Sequence, residues 1–150
     1  MPEIILAKKA GFCFGVNRAV EEAIKVQGEK KKRIFTLGAL IHNKDVLLSL
    51  EDRDICSIDM NNLDKLHKGD TVIIRSHGIG KESLELLNKK QLDIIDNTCP
   101  FVKVIHNKVE KYYNNGYKII IIGDANHPEV MGINGWCDNS AIIINKEDKP

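Results

Sequence analysis

The four cysteines of this sequence, Cys13, Cys56, Cys99 and Cys137, form no C-x-x-C pair. That absence argues against a zinc ribbon, a thioredoxin-like redox site and a bacterial ferredoxin run. No apolar stretch is long enough to cross a bilayer, so no membrane association is expected. An excess of one charge sign is missing too: 22 Lys and Arg face 21 Asp and Glu, for a net charge of +1. This balance leaves no electrostatic case for a nucleic-acid partner. One short basic run, Lys30-Lys31-Lys32-Arg33, falls between a helix pattern and a strand pattern and reads as a solvated loop. There is no low-complexity linker. The first residues carry a strand pattern rather than a charged region followed by a signal-type segment, so a cytoplasmic location is expected. The thiols are then expected to be reduced unless a metal holds them.

What remains is a globular composition. The 150 residues are 43% hydrophobic and 29% charged, enough for one sizeable domain or two small ones. Strand and helix patterns alternate. Short β-branched or apolar runs over residues 3–7, 33–37, 55–58, 71–75, 92–95, 118–122 and 141–144 predict strands. Helical spacing predicts helices from about residue 16 to 28, through 46–50, over 81–90 and from 100 to 114, with a helical turn at Leu63 and Leu66. This alternation predicts an α/β protein of mostly parallel sheets flanked by helices.

The loops after five of the strands carry Cys13, His42, His77, Cys99 and His127. Parallel α/β sheets bind ligands outside the carboxyl ends of their strands, so these five residues are expected on one side of the molecule. Cys13 lies in Gly11-Phe12-Cys13-Phe14-Gly15-Val16, between two glycines where strand hands over to helix. Glycine allows close approach of a bulky group, and the helix start offers unpaired N–H groups and a partial positive charge. Cys99 precedes Pro100, a residue well suited to the first helical position, and so stands near a helix cap. His67, before a turn, and His106, within a helix, read as structural.

This set combines a soft metal site with an anionic substrate. Thiolates select zinc, copper(I) or iron–sulfur clusters, and glycine beside a cysteine leaves room for a cluster. Imidazole N–H groups and helix N-termini suit phosphate oxygens. His127-Pro128-Glu129 adds a proton relay. From the residues alone, other readings stay open besides a cysteine–histidine hydrolase, for which no activated dyad shows locally. One is a buried cysteine beside a tight turn; another is a zinc site of Cys13, Cys99 and a histidine. The third is a non-catalytic α/β module that binds phosphate or a nucleotide.

The motifs GFCFGV at Cys13, IHN at His42, RSHGIG at His77, DNTCP at Cys99 and HPEV at His127 closely resemble the N-terminal half of the LytB/IspH family. These are the 4-hydroxy-3-methylbut-2-enyl diphosphate reductases. The five pieces stand in the family's order and span residues 11–130. The resemblance implies reductive removal of the substrate's allylic hydroxyl, giving isopentenyl and dimethylallyl diphosphate, the last step of the non-mevalonate isoprenoid pathway. It implies a [4Fe-4S] cluster held by three cysteines, with Cys13 and Cys99 as two of them. It implies diphosphate binding by His42 and His77, a substrate contact by His127 and a proton delivered or relayed by Glu129. Ferredoxin or flavodoxin would supply electrons. The family fold has three similar α/β domains, of which residues 1–97 would be the first and 98–150 part of the second. Family members are roughly twice this length. Their third cysteine and a Ser-x-Asn segment lie later in the chain, so the 150 residues are expected to be an incomplete part, inactive alone. Cys56 and Cys137 match no ligand motif.

Overall fold

The computed structural model of the chain describes residues 3–5, 7, 8, 10–29, 32–41 and 43–145. Helix α1 (Phe14–Glu29) buries Gly15, Ala19, Ala23 and Val26. Steps of three and four put these residues on one face, and their small size lets the helix lie close to what it covers. That partner is a sheet of four parallel strands: β1 (Ile34–Leu37), β2 (Ile55–Ile58), β3 (Thr71–Ile74) and β4 (Asp93–Asp96), in the order β2-β1-β3-β4. Helices α2 (Lys44–Glu51) and α3 (Lys81–Lys89) and a 3₁₀ segment (Met60–Lys65) make the connections.

Successive side chains of β3 show how the layers form. Ile73 packs with Ala19, Ala23 and Leu50 on one face, whereas Val72 and Ile74 pack with Leu63 and Leu87 on the other. This is the period of two expected of a strand covered on both faces. The strand order reverses direction between β1 and β3, and at such a point the departing loops diverge and leave a crevice.

A second, smaller sheet follows. Helix α4 (Pro100–Asn114) leads to β5 (Ile120–Ile122), then α5 (Pro128–Asn134), a 3₁₀ turn (Gly135–Cys137) and β6 (Ile142–Ile144). β5 and β6 pair in parallel, with Ile120 opposite Ile142 and Ile122 opposite Ile144. Both strands are all isoleucine, the composition of strands buried on two faces. Here Ile120, Ile122 and Ile142 are exposed.

The run over residues 3–7 does not form the expected strand among its described residues, and Ile4 and Ile5 are 86% and 81% exposed. An apolar run encodes a tendency to be buried but names no partner. Neither edge of the four-stranded sheet, β2 or β4, pairs with it.

One polar junction ties β1 to β3. The Asp70 carboxylate accepts hydrogen bonds from the His67 N–H at 2.7 Å and from both Nε and Nη2 of Arg33. Burial works to raise the Asp70 pKa, but the Arg33 guanidinium and the His67 N–H outweigh it and hold the carboxyl below its ordinary value. A depressed carboxyl stabilises the fold above its unfolded pKa, and that contribution is lost as pH falls through the folded value. Asp70→Asn is expected to cost about 1–3 kcal/mol at neutral pH. In urea titrations the difference from wild type should begin to shrink as the pH falls below about 3.9, the ordinary aspartate value, and close at lower pH.

Candidate functional site

Helix α1 receives the Asn17 N–H on the Cys13 carbonyl at 2.9 Å, so Cys13 occupies the position just ahead of the first turn. Cys99 is the cap residue of α4, with Pro100 at the first helical position. Both thiols therefore stand at helix starts, as their motifs suggest. The two starts also approach each other. A Cβ built on Gly15 would lie 3.4 Å from both Cβ and Sγ of Cys99. Cys13 is exposed and Cys99 half-buried, so both thiols are accessible.

The turn bearing Cys99 is tied to the loop bearing His77. The Cys99 N–H donates to the Ser76 carbonyl at 2.9 Å, and Thr98 donates through its N–H and its hydroxyl to the Asp96 carboxylate. Burial works to raise the Asp96 pKa, but Lys103 and Thr98 outweigh it and hold the carboxylate down. Within the His77 loop, Gly78 has φ of +72°, a left-handed conformation suited to glycine. A Cβ there would meet His106 Cε1 at 2.6 Å and Thr98 Cγ2 at 2.9 Å.

His127 reaches the same place from the second sheet. The backbone of Gly135 comes so near Gly80 that a Cβ on Gly135 would lie 2.5 Å from the Gly80 Cα. Beside this contact, Trp136 donates its indole N–H to the Ile79 carbonyl at 2.9 Å and stacks on His106 with ring centres 5.3 Å apart. Helix α5 is thereby docked on the loop after β3. Its cap residue His127 meets His77 edge to face, with centres 5.6 Å apart. His127 Nδ1 accepts the Glu129 N–H at 3.2 Å. That assigns the neutral tautomer with the proton on Nε2, a donor available to an anion.

The structure thus brings the turn of Cys99, the first turn of α1, His77 and His127 near one another, with Glu129 in the first turn of α5. His42, expected to join them, lies outside the described residues. Arg75 spans the crevice between the loops after β1 and β3. Its guanidinium lies 3.0 Å from the position a Cβ would take on Gly38, beside a cavity of about 400 Å³ lined also by Asp59, Gly80, Pro128 and Met131. The motifs do not mark Arg75, Gly135 and Trp136 as site-builders, because each acts through a contact distant in sequence. His106 is structural, as expected, whereas His67 is exposed and contributes its main-chain N–H. The His67 N–H caps Asp70, and His106 is 3% exposed with a buried Nε2 that has no partner among the described residues. Cys137 is fully buried, and burial pushes its thiol pKa up.

Two thiols fit part of a metal site. Among the described residues, no group of three His, Cys, Asp or Glu side chains is close enough to hold a metal ion. No helix among these residues is long and apolar enough to cross a membrane.

Fold and site define a parallel α/β protein that gathers thiols and imidazoles beyond its strand ends, the ligand-binding position of that class. The family model for LytB protein matches residues 4–150. The chain is 59% identical over 142 residues to the 4-hydroxy-3-methylbut-2-enyl diphosphate reductase of Clostridium perfringens (strain ATCC 13124), covering 95% of this chain and 50% of that protein. A solved (E)-4-hydroxy-3-methyl-but-2-enyl diphosphate reductase, described as the terminal enzyme of the non-mevalonate pathway, superposes with a TM-score of 0.79 at 41% identity. It covers 99% of this chain and 52% of its own. The E-1-hydroxy-2-methyl-but-2-enyl-4-diphosphate reductase of Plasmodium falciparum superposes with a TM-score of 0.83 at 32% identity, covering 95% and 46%. The chain belongs to the LytB family. It spans about half the length of the relatives it matches.

His106 supplies a test of how the site is held. Burial lowers its pKa, outweighing the nearby Asp96 carboxylate. A lowered imidazole stabilises the fold above its unfolded pKa of about 6.5, and the contribution is lost as pH falls below that value. Thermal unfolding midpoints should therefore drop between about pH 7 and about pH 5 in wild type, and drop less in His106→Leu.

Proposed function

We propose that these 150 residues are the N-terminal half of a reductase that removes the allylic hydroxyl of 4-hydroxy-3-methylbut-2-enyl diphosphate. The products are isopentenyl and dimethylallyl diphosphate. One observation carries the reading: the Cys13 and Cys99 turns meet across Gly15 beside the His77–His127 pair. They do so in a chain 59% identical to a protein of that name.

In this reading Cys13 and Cys99 are two thiolate ligands of a [4Fe-4S] cluster. The cluster, when bound, supplies electrons for reductive cleavage of the carbon–oxygen bond. The third thiolate and a Ser-x-Asn diphosphate contact belong to the half of the reductase that these residues do not include. His42, His77 and His127 bind substrate. The Nε2–H of His127 donates to the bound substrate, since its Nδ1 is engaged as acceptor at the start of α5. Glu129, two residues on, delivers the proton that the departing hydroxyl needs to leave as water. Residues 1–97 form the first α/β domain, and 98–150 form part of a second. The exposed isoleucines of β5 and β6 support that division, because they are the faces an incomplete domain leaves uncovered. A ferredoxin or flavodoxin is the electron donor, and the location is cytoplasmic.

Anaerobic reconstitution of the reductase at the full length of its relatives tests the ligand assignment. Wild type should bind iron and acid-labile sulfide. Cys13→Ser and Cys99→Ser should each lose most of both and with them turnover. Zinc without sulfide in wild type, or unchanged iron and sulfide in both variants, contradicts the reading. Anion binding that survives both substitutions with no iron in any form would instead favour a non-catalytic phosphate-binding module.

A further inference from the structure

Arg18 sits on α1 one turn beyond Gly15, and the two share the helix face turned toward Cys99. Its Nη2 donates to two consecutive main-chain carbonyls, Asn97 at 3.1 Å and Thr98 at 2.9 Å. These residues lie 79 and 80 positions away in sequence and immediately precede Cys99. Both are buried. The guanidinium also lies 5.8 Å from the centre of the Phe14 ring on the preceding turn. Arginine suits this role, since a planar, permanently charged fork can donate to several acceptors from one fixed position.

The other bonds that hold the turn run elsewhere. The Cys99 N–H goes to Ser76 in the loop after β3, and Thr98 goes to Asp96 at the end of β4. They tie the turn to its own sheet. Arg18 ties it to the helix whose start carries Cys13. Hydrogen bonds from a charged donor are stronger than those between neutral groups.

We propose that Arg18 is a positioning residue: it sets the spacing of Cys13 and Cys99 by clamping the Asn97–Thr98 carbonyls to the first turns of α1. The role deepens the metal-site reading, because a shared metal centre requires its two thiolates at a fixed separation. The spacing itself exists without metal and is measured without it.

The test is thiol crosslinking in the reductase at the full length of its relatives, free of metal. A short bifunctional maleimide is added and the linked peptides are mapped by mass spectrometry. Rates are normalised to monofunctional alkylation of the same thiols, with exposed Cys56 on β2 as an internal control. Wild type should form the Cys13–Cys99 link readily. Arg18→Gln should slow that link at least fivefold, with Cys56 alkylation unchanged. Arg18→Lys keeps the charge on a shorter arm and should recover part of the rate. A wild-type linking rate in Arg18→Gln overturns the assignment. Should that variant fail to fold, Arg18→Lys decides: two- to threefold slowing supports the clamp, and a wild-type rate overturns it. Loss of iron binding in Cys13→Ser reports on the metal reading alone, so the two can fail separately.

Discussion

The contact between the first turn of α1 and the turn that carries Cys99 is the constraint on which the site depends. At Gly15 the two approach so closely that a Cβ would stand in van der Waals contact with the Cys99 side chain, although the segments are remote in sequence. The cysteines stand at the starts of two helices, where unpaired N–H groups and the helix dipole favour negative charge. In the proposed function the site collects thiolates and a diphosphate, and the helix starts and the cationic Arg18 would offset part of that negative charge.

A second close approach completes the arrangement. The Gly80–Gly135 backbone contact, the Trp136 hydrogen bond to Ile79 and the Trp136–His106 stack dock the second sheet's helix onto the loop after β3. An aromatic stack of this kind contributes about 0.5–1.5 kcal/mol beyond its buried area. His106 is thus part of the scaffold beneath the site. It holds Gly78 from below while His77, one residue away, faces His127.

Much of this was legible in the residue order. The β-branched run at Thr71–Ile74 and the apolar periodicity of α1 and α4 specify local structure through spacing alone. Cys99, His77 and His127 were legible because each follows a strand, and parallel sheets deliver such residues to one side; Cys13 was legible because it precedes the first turn of α1. The apolar run at residues 3–7 misled because hydrophobicity carries no information about which edge a strand will join. Arg18 was opaque for a related reason. On a helix it reads as an ordinary solvated charge until the fold brings the Asn97 and Thr98 carbonyls to it. The same holds for Gly135 and Trp136, whose partners lie in a loop more than fifty residues earlier.

The isoleucine strands β5 and β6 are open to solvent on one face, in a chain that spans about half the length of the relatives described above. The central claim is that Cys13 and Cys99 face one metal centre. Anomalous scattering at the iron edge, from anaerobic crystals of the reductase at its relatives' full length, tests it most directly. The account predicts a single iron cluster in contact with both sulfurs, on the side where His77 and His127 meet. Iron bound away from either cysteine, or two sulfurs turned from each other with no metal between them, would contradict it.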